Sequence, residues 1–313
     1  MRTDGFRRIL IGIAAVVLPG SAALTWSARP ASAAPGSAAA PGAVAAASAV
    51  CGSASHPALA ARLARDISAA RRGRVSTVAV RVDDPGAGLE CWLNSSTHFD
   101  SASVVKATIL AALLRKAQDS HRHLTRTEAA LAWAMITRSD NGAASALWND
   151  VGRAHLQHFL NLARMTHTVL GPGGFWGLTE ITASDETLLL RLLLSGNSVL
   201  DTASRDYELA LMASVISSQR WGVTAGAPTR LTAHIKNGWL PLAAHQWHVH
   251  SIGGFTGRGG GYSIVVLTED DPTMSYGIIT IERIARVINR DLNPGTTSVI
   301  PSVNPATASI PGG

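Results

Sequence analysis

Residues 101–114, SASVVKATILAALL, make the most apolar helical run in the chain and set a serine and a lysine three residues apart at its start, Ser103 and Lys106. In a helix that spacing puts the hydroxyl and the amine side by side on one face, and Ser101 stands in an N-cap position. A serine hydroxyl is a weak nucleophile until a base takes its proton. A lysine desolvated at the foot of an apolar helix has the lowered pKa which that task requires. Taken alone, the pair is equally a capped helix with a lysine reaching for solvent.

Working outward from this helix, the periodicity switches between helix and strand. Toward the N-terminus, Pro57, Leu59, Leu63 and Ile67 recur at helical spacing, and Val75–Val82 alternates as a strand. Asp83-Asp84-Pro85-Gly86 is a turn that returns the chain antiparallel over Leu89–Leu93. Toward the C-terminus, helical patterns run through Thr127–Ile136, Ala143–Leu147, Leu156–Leu162, Leu188–Leu194 and Leu209–Ile216. Strand patterns resume at Thr232–Ile235, His248–Ile252 and Tyr262–Leu267, and Ile278–Ile288 closes as an amphipathic helix. Strands at both ends around a helical middle predict an α+β fold: an antiparallel sheet formed from both chain ends and flanked by helices, with an inserted all-helical lobe.

Composition narrows the classes of function. Apolar residues make up 46% of the 313 and charged ones only 15%, which excludes a disordered chain. The formal charge of +6 comes from scattered arginines without a basic run interleaved with aromatics, so no nucleic-acid partner is expected. Lysine occurs only at positions 106, 116 and 236. Because arginine stays protonated and a buried lysine does not have to, those three positions merit scrutiny.

Arg7 and Arg8 precede the short apolar stretch Ile9–Leu18, and Ala31-Ser32-Ala33 offers a cleavage site. Residues 1–33 therefore read as a signal peptide of the Sec or twin-arginine type, with a retained membrane anchor as the alternative. Export implies a secreted or cell-envelope protein with no stable membrane insertion once the signal is cleaved. Residues 34–52 read as an Ala/Gly/Pro-rich flexible leader, 53–292 as the catalytic domain, and 293–313 as a disordered tail. In an oxidising compartment Cys51 and Cys91 favour one disulfide over a metal site, the alternative being one buried and one mobile thiol. No cofactor or metal is expected, and a monomer is.

Two further elements carry chemistry. Ser139-Asp140-Asn141 lies between helical segments, where Ser139 could relay a proton to a leaving nitrogen and Asn141 could hold a substrate amide; alone it is a good turn or cap. Lys236-Asn237-Gly238 lies on a strand, where the glycine admits a substrate backbone and the lysine supplies a fixed charge; alone it is a turn with an exposed lysine. The order SxxK, SDN, K-N-G resembles the signature of class A β-lactamases and penicillin-binding proteins. Two of the three lysines fall where that pattern requires them. The similarity extends to Met135–Ala144, to Gln219–Val223 with Ala225-Gly226, and to Ser251-Ile252-Gly253, and covers roughly residues 57 to 290.

The resemblance implies the β-lactamase/transpeptidase fold, Ser103 as acylated nucleophile, Lys106 as its base and Ser139 as proton relay. Asn141 would bind a substrate amide and Lys236 a carboxylate, and the backbone N–H groups of Ser103 and Trp239 would form the oxyanion hole. The chain departs from the family in three places. The Ser103–Ser139 segment is shorter, which predicts a more open site. Asn237 replaces a hydroxyl residue, and Arg258 is the candidate for a replacement charge or else a solvated turn arginine. The loop Gly171–Ile181 lacks the Glu-x-x-x-Asn motif that activates the deacylating water, leaving Glu180 as the only acid there, either a displaced base or an acid near the helix that Thr182 and Asp185 begin. The activities implied are hydrolysis of β-lactam amides and, alternatively, a D-alanyl-D-alanine-type peptidase or a β-lactam-trapping protein, with a small-molecule β-lactam or a cell-wall peptide as partner.

Overall fold

A computed structural model describes residues 47–243, 246–258 and 260–301; the expected signal peptide and most of the expected leader and tail lie outside these. Three strands from the N-terminal part, β1 (Val50–Ser53), β2 (Thr77–Asp84) and β3 (Leu89–Leu93), join three from the C-terminal part, β6 (Thr232–Ala243), β7 (Gln246–Gly257) and β8 (Gly260–Asp271). They form one antiparallel sheet in the order β1-β3-β2-β8-β7-β6. The β2–β8 pairing, Thr77 opposite Glu269 through Asp83 opposite Ser263, closes the two chain ends into one surface, as the sequence predicts.

Both faces of this sheet are buried, and the period-2 alternation of its side chains divides them. Val78, Val80, Val82, Val249, Ile264 and Val266 pack in a core with α1 (Pro57–Ala70) and α7 (Met274–Leu292). Ala79, Ile252, Val265 and Leu267 pack in a second core with the helical lobe. That lobe contains α2 (Val105–Asp119), α3 (Arg126–Thr137), α4 (Asn141–Leu162), α5 (Ala183–Leu194) and α6 (Thr202–Ala213). Its centre is α2, where Ala107 to Leu113 are all buried, so the helix that carries Lys106 is enclosed on every side. Thr125 and Glu128 start α3 with a reciprocal capping box. The two patterns Ala143–Leu147 and Leu156–Leu162 belong to the single element α4, broken at Gly152 (φ 76°, ψ 150°).

Three expectations need correction. Residues 50–52 are not flexible leader but strand, because the β1 edge pairs along β3 and Ala49 is buried beneath it. The tail is ordered as far as residue 301: Ile300 exchanges backbone hydrogen bonds with Gly226 and Ala227, Thr229 N donates to Ser298 O, and Asn293 Nδ2 donates to the Tyr262 hydroxyl. Ser101 makes no capping bond to the helix; its backbone N–H donates instead to Thr179 O at 2.8 Å. A two-stranded ribbon absent from the periodicity, β4 (Phe99–Asp100) with β5 (Glu180–Ile181), continues that contact and fastens the 171–181 loop beside the start of α2.

Cys51 lies directly opposite Cys91 in the β1–β3 register, and the two are joined in a disulfide. Cross-linking residues 40 apart removes on the order of 4 kcal/mol of chain entropy from the unfolded state. Reduction and alkylation of both thiols is expected to lower the free energy of unfolding by about that amount in a urea titration; a reduced chain as stable as the oxidised one would contradict it.

Candidate active site

Ser103 does not sit in α2 itself but in a 3-10 turn, Ala102–Val104, that runs straight into it. Ser103 thus stands three residues before Lys106, across the junction of the two elements, a spacing that keeps both on one helical face. The turn is entered through Ala102 with φ 47°, a left-handed conformation that strains a non-glycine residue. Ser103 is half-buried, whereas Lys106 is wholly buried. Burial pushes the Lys106 amine down to about 7, partly opposed by the Asp140 carboxylate.

Lys106 Nζ donates to Ser139 O at 2.6 Å, to Ser139 Oγ at 3.1 Å and to Asn141 Oδ1 at 2.8 Å. Ser139 presents both oxygens to the amine because its backbone is also left-handed, φ 58°, just before Asp140 caps α4. From the opposite wall Lys236 Nζ reaches the same hydroxyl at 3.0 Å and its own neighbour Asn237 O at 2.9 Å. Lys236 is buried as well, and desolvation together with the charge of Lys106 holds its amine well below the ordinary lysine value. The three sequence elements thus converge on one hydroxyl, Ser139 Oγ, held between two amines. A protonated Lys106 donates in all three directions. On losing a proton it gains a lone pair in one of them, and with it the capacity to take a proton from a serine.

Edge strand β6 places the rest. A methyl group built on Gly238 would lie 2.9 Å from Ser101 O, Ser103 N and Val104 N, so only glycine lets the strand lie this close to the turn that carries Ser103. This brings the Ser103 N–H beside the strand segment bearing the Trp239 N–H, the pair expected to hold an oxyanion. The Trp239 ring is tilted against Trp221, centroids 5.8 Å apart. Behind Gly238, buried His250 accepts from Thr268 N–H at Nδ1 and bonds Asp100 O through Nε2; burial and the neighbouring His248 push it down to about 3, so it is a neutral tie between sheet and ribbon.

Three expected residues take other places. Asn237 points to the other face of β6, where both its Nδ2 hydrogens are used by Gln219 O and Trp221 O, so it offers a substrate no donor; it fastens the 219–221 loop. Arg258 is an exposed residue of the β7–β8 turn, six residues beyond Ile252, the partner of Lys236. At about 3.4 Å per residue it stands roughly 20 Å along the strand from that lysine. Glu180 is exposed, opposite Asp100 in the ribbon, and among the described residues its carboxylate makes no hydrogen bond or ion pair. Its neighbour Ile181 is buried in the lobe core, which turns Glu180 to the other side of the ribbon.

What the loop does bring to the site is Trp176. Its ring centroid lies 4.7 Å from Lys106 Nζ, and its indole N–H donates to Ser145 Oγ on α4 at 3.1 Å. Reading that loop for acids alone passes over this residue, although the paired aromatics Phe175-Trp176 flanked by glycines in a short loop are themselves a signal for a placed ring.

Residues 123–292 match the model of the beta-lactamase enzyme family. The chain belongs to that family. Its fold is shared with a β-lactamase from Sphaerobacter thermophilus DSM 20745 (22% identity, TM-score 0.64, 75% of this chain and 98% of that one). It is shared equally with a class A β-lactamase representative from Bacteroides cellulosilyticus DSM 14838 (17%, 0.66, 74% and 98%). A third neighbour is a variant of PBP-A in an acyl-enzyme complex with penicillin G (16%, 0.64, 74% and 96%). No curated protein matches the chain.

The close approach at Gly238 yields a direct check. Gly238→Ala must push the Ser101–Val104 backbone off the strand, and the expected outcome is at least a hundredfold slower labelling of Ser103 by a fluorescent penicillin, with a stability loss of about 1–3 kcal/mol. Labelling at the unsubstituted rate would show that the contact does not position the nucleophile.

Proposed function

We propose that this protein is an exported serine hydrolase that opens β-lactam amides through an acyl-enzyme on Ser103, and that the ester outlives its formation. The observation that carries the first part is the convergence of Lys106 and Lys236 on Ser139 Oγ, with Lys106 one helical turn beyond Ser103 and Gly238 of the Lys236 strand packed on the Ser103 backbone. Neutral Lys106 takes the Ser103 proton as Oγ attacks the amide carbon. The Ser103 and Trp239 N–H groups receive the oxyanion. As the C–N bond breaks, the Ser139 hydroxyl gives its proton to the leaving nitrogen and is reprotonated from Lys106, while Lys236 holds positive charge against the substrate carboxylate. Asn141 keeps its amide N–H groups free for a substrate carbonyl, since only its Oδ1 is engaged by Lys106.

The second part rests on the loop. Hydrolysis of the ester needs a water activated by a base, and the side chain that this loop brings to Lys106 is an indole rather than a carboxylate. That favours the behaviour of a penicillin-binding peptidase over that of a fast β-lactamase. Export is supported by the basic, apolar and A-x-A pattern of residues 1–33 and by a disulfide that suits an oxidising compartment.

Intact-mass analysis after mixing with penicillin G tests both parts. Wild type is expected to gain the mass of one penicillin and to keep it for many minutes, Ser103→Ala to gain none, and Glu180→Gln to lose the adduct at the wild-type rate. An adduct on Ser103→Ala would overturn the nucleophile, and rapid wild-type turnover that Glu180→Gln arrests would restore the carboxylate as deacylation base.

A further inference from the structure

The segment that carries Trp176 is unusually well held for a surface loop. Arg153 on α4 donates to Gly171 O at 2.8 Å and to Leu170 O at 3.2 Å, Gly171 N donates to Thr179 Oγ1, and a 3-10 turn at Trp176–Leu178 is closed by Thr179 N to Trp176 O at 3.0 Å. Thr179 O accepts from Ser101 N–H, which ties the loop to the turn bearing Ser103. The indole is fixed at its far end too, on Ser145 Oγ. A half-buried tryptophan held at both ends with its ring face 4.7 Å from a catalytic amine is a positioned group.

The amine it faces has protein on every other side. Ser139 and Asn141 occupy its hydrogen-bonding directions, and Lys106 itself is buried to 0% exposure. The charged groups acting on it are Asp140, at the start of α4, and Lys236, on β6; neither belongs to the loop. The ring is therefore the loop's contribution: it carries no formal charge, and although its face attracts an ammonium, it does so less strongly than the water it displaces would solvate one. We propose that Trp176 is the positioning residue of the base: its ring seals Lys106 Nζ from water and so keeps the amine available in neutral form. The loop, whose one acid Glu180 is exposed on the ribbon, is thus not a defective copy of a deacylation loop but a hydrophobic cover over the acylation base. Burial is the largest influence on the Lys106 amine, and the indole face is among the groups packed against it, 4.7 Å away.

This inference rests on Lys106 as the base of Ser103, and its test is independent of acylation. The chain contains three lysines, so a protein labelled with nitrogen-15 in lysine gives three side-chain signals, assigned through Lys116→Arg and Lys236→Arg. In the full exported chain Lys106 is expected to titrate near 7. In Trp176→Ala, where water reaches the amine, it is expected to titrate about one to three pH units higher. Trp176→Phe, which keeps an apolar ring, is expected to stay close to wild type. Should the alanine chain fail to fold, Trp176→Gln replaces the ring with a hydrated group and reads the same shift. Lys106 titrating in the alanine or glutamine variant as it does in wild type would overturn the proposal, as would a phenylalanine variant shifted as far as the alanine one. A wild type that no penicillin acylates would remove the function proposed above while leaving this titration to be decided by itself.

Discussion

Two lysine amines share one serine hydroxyl inside the protein, and most of the structure around them is what that arrangement requires. An isolated buried ammonium is far too costly to hold, and two of them repel. The cost is met partly by hydrogen bonds to Ser139 O, Asn141 Oδ1 and Asn237 O, and partly by lowering both amines so that one of them can give up its charge and leave the other the cation. The resulting instability is chemical capacity: an amine near 7 both accepts and returns a proton at neutral pH. Enclosure of α2 by the helical lobe supplies the burial, and the two-ended sheet supplies the second lysine from β6.

Strain is stored where this site meets the backbone. Ala102 and Ser139 both adopt left-handed conformations, which cost on the order of 1–3 kcal/mol each, and both flank the reacting groups. Each is held by its surroundings: the Ala102 turn by Ser101 N–H to Thr179 O and by the approach of Gly238, the Ser139 turn by the two lysines themselves. The 171–181 loop therefore has a structural role beyond its ring, since without its ribbon the turn that carries Ser103 loses one wall.

Much of this is legible in the sequence, for physical reasons that differ by residue. Alternating β-branched residues and apolar helical runs report burial, so the sheet of two chain ends and the inserted helical lobe follow from them. The convergence of Lys106 and Lys236 on Ser139 is legible because a chain that uses arginine almost everywhere keeps lysine at two of the three motif elements, where the proposed chemistry needs an amine that can lose its proton. The pairing of Cys51 with Cys91 follows from their number and context, but the strand that holds Cys51 does not, since Val50–Ser53 is too short to show a period. Asn237 and Arg258 mislead because sequence proximity to a motif says nothing of which face of a strand a side chain takes, or how far a hairpin turn lies from the strand's middle. Glu180 misleads because chemistry invites a search for a carboxylate, whereas the loop's fold presents an indole. Positive φ at Ala102 and Ser139 leaves no compositional trace at all.

Activation of Ser103 by a buried neutral lysine is tested most directly by the second-order rate constant for acylation of the protein by a penicillin across roughly pH 5 to 9. The expected profile is a rise of about tenfold per pH unit that levels off near 7, where Lys106 has lost its proton, with no such limb in Lys106→Arg, whose guanidinium never does. A rate constant independent of pH through that range, or an arginine variant with the wild-type profile, would contradict it.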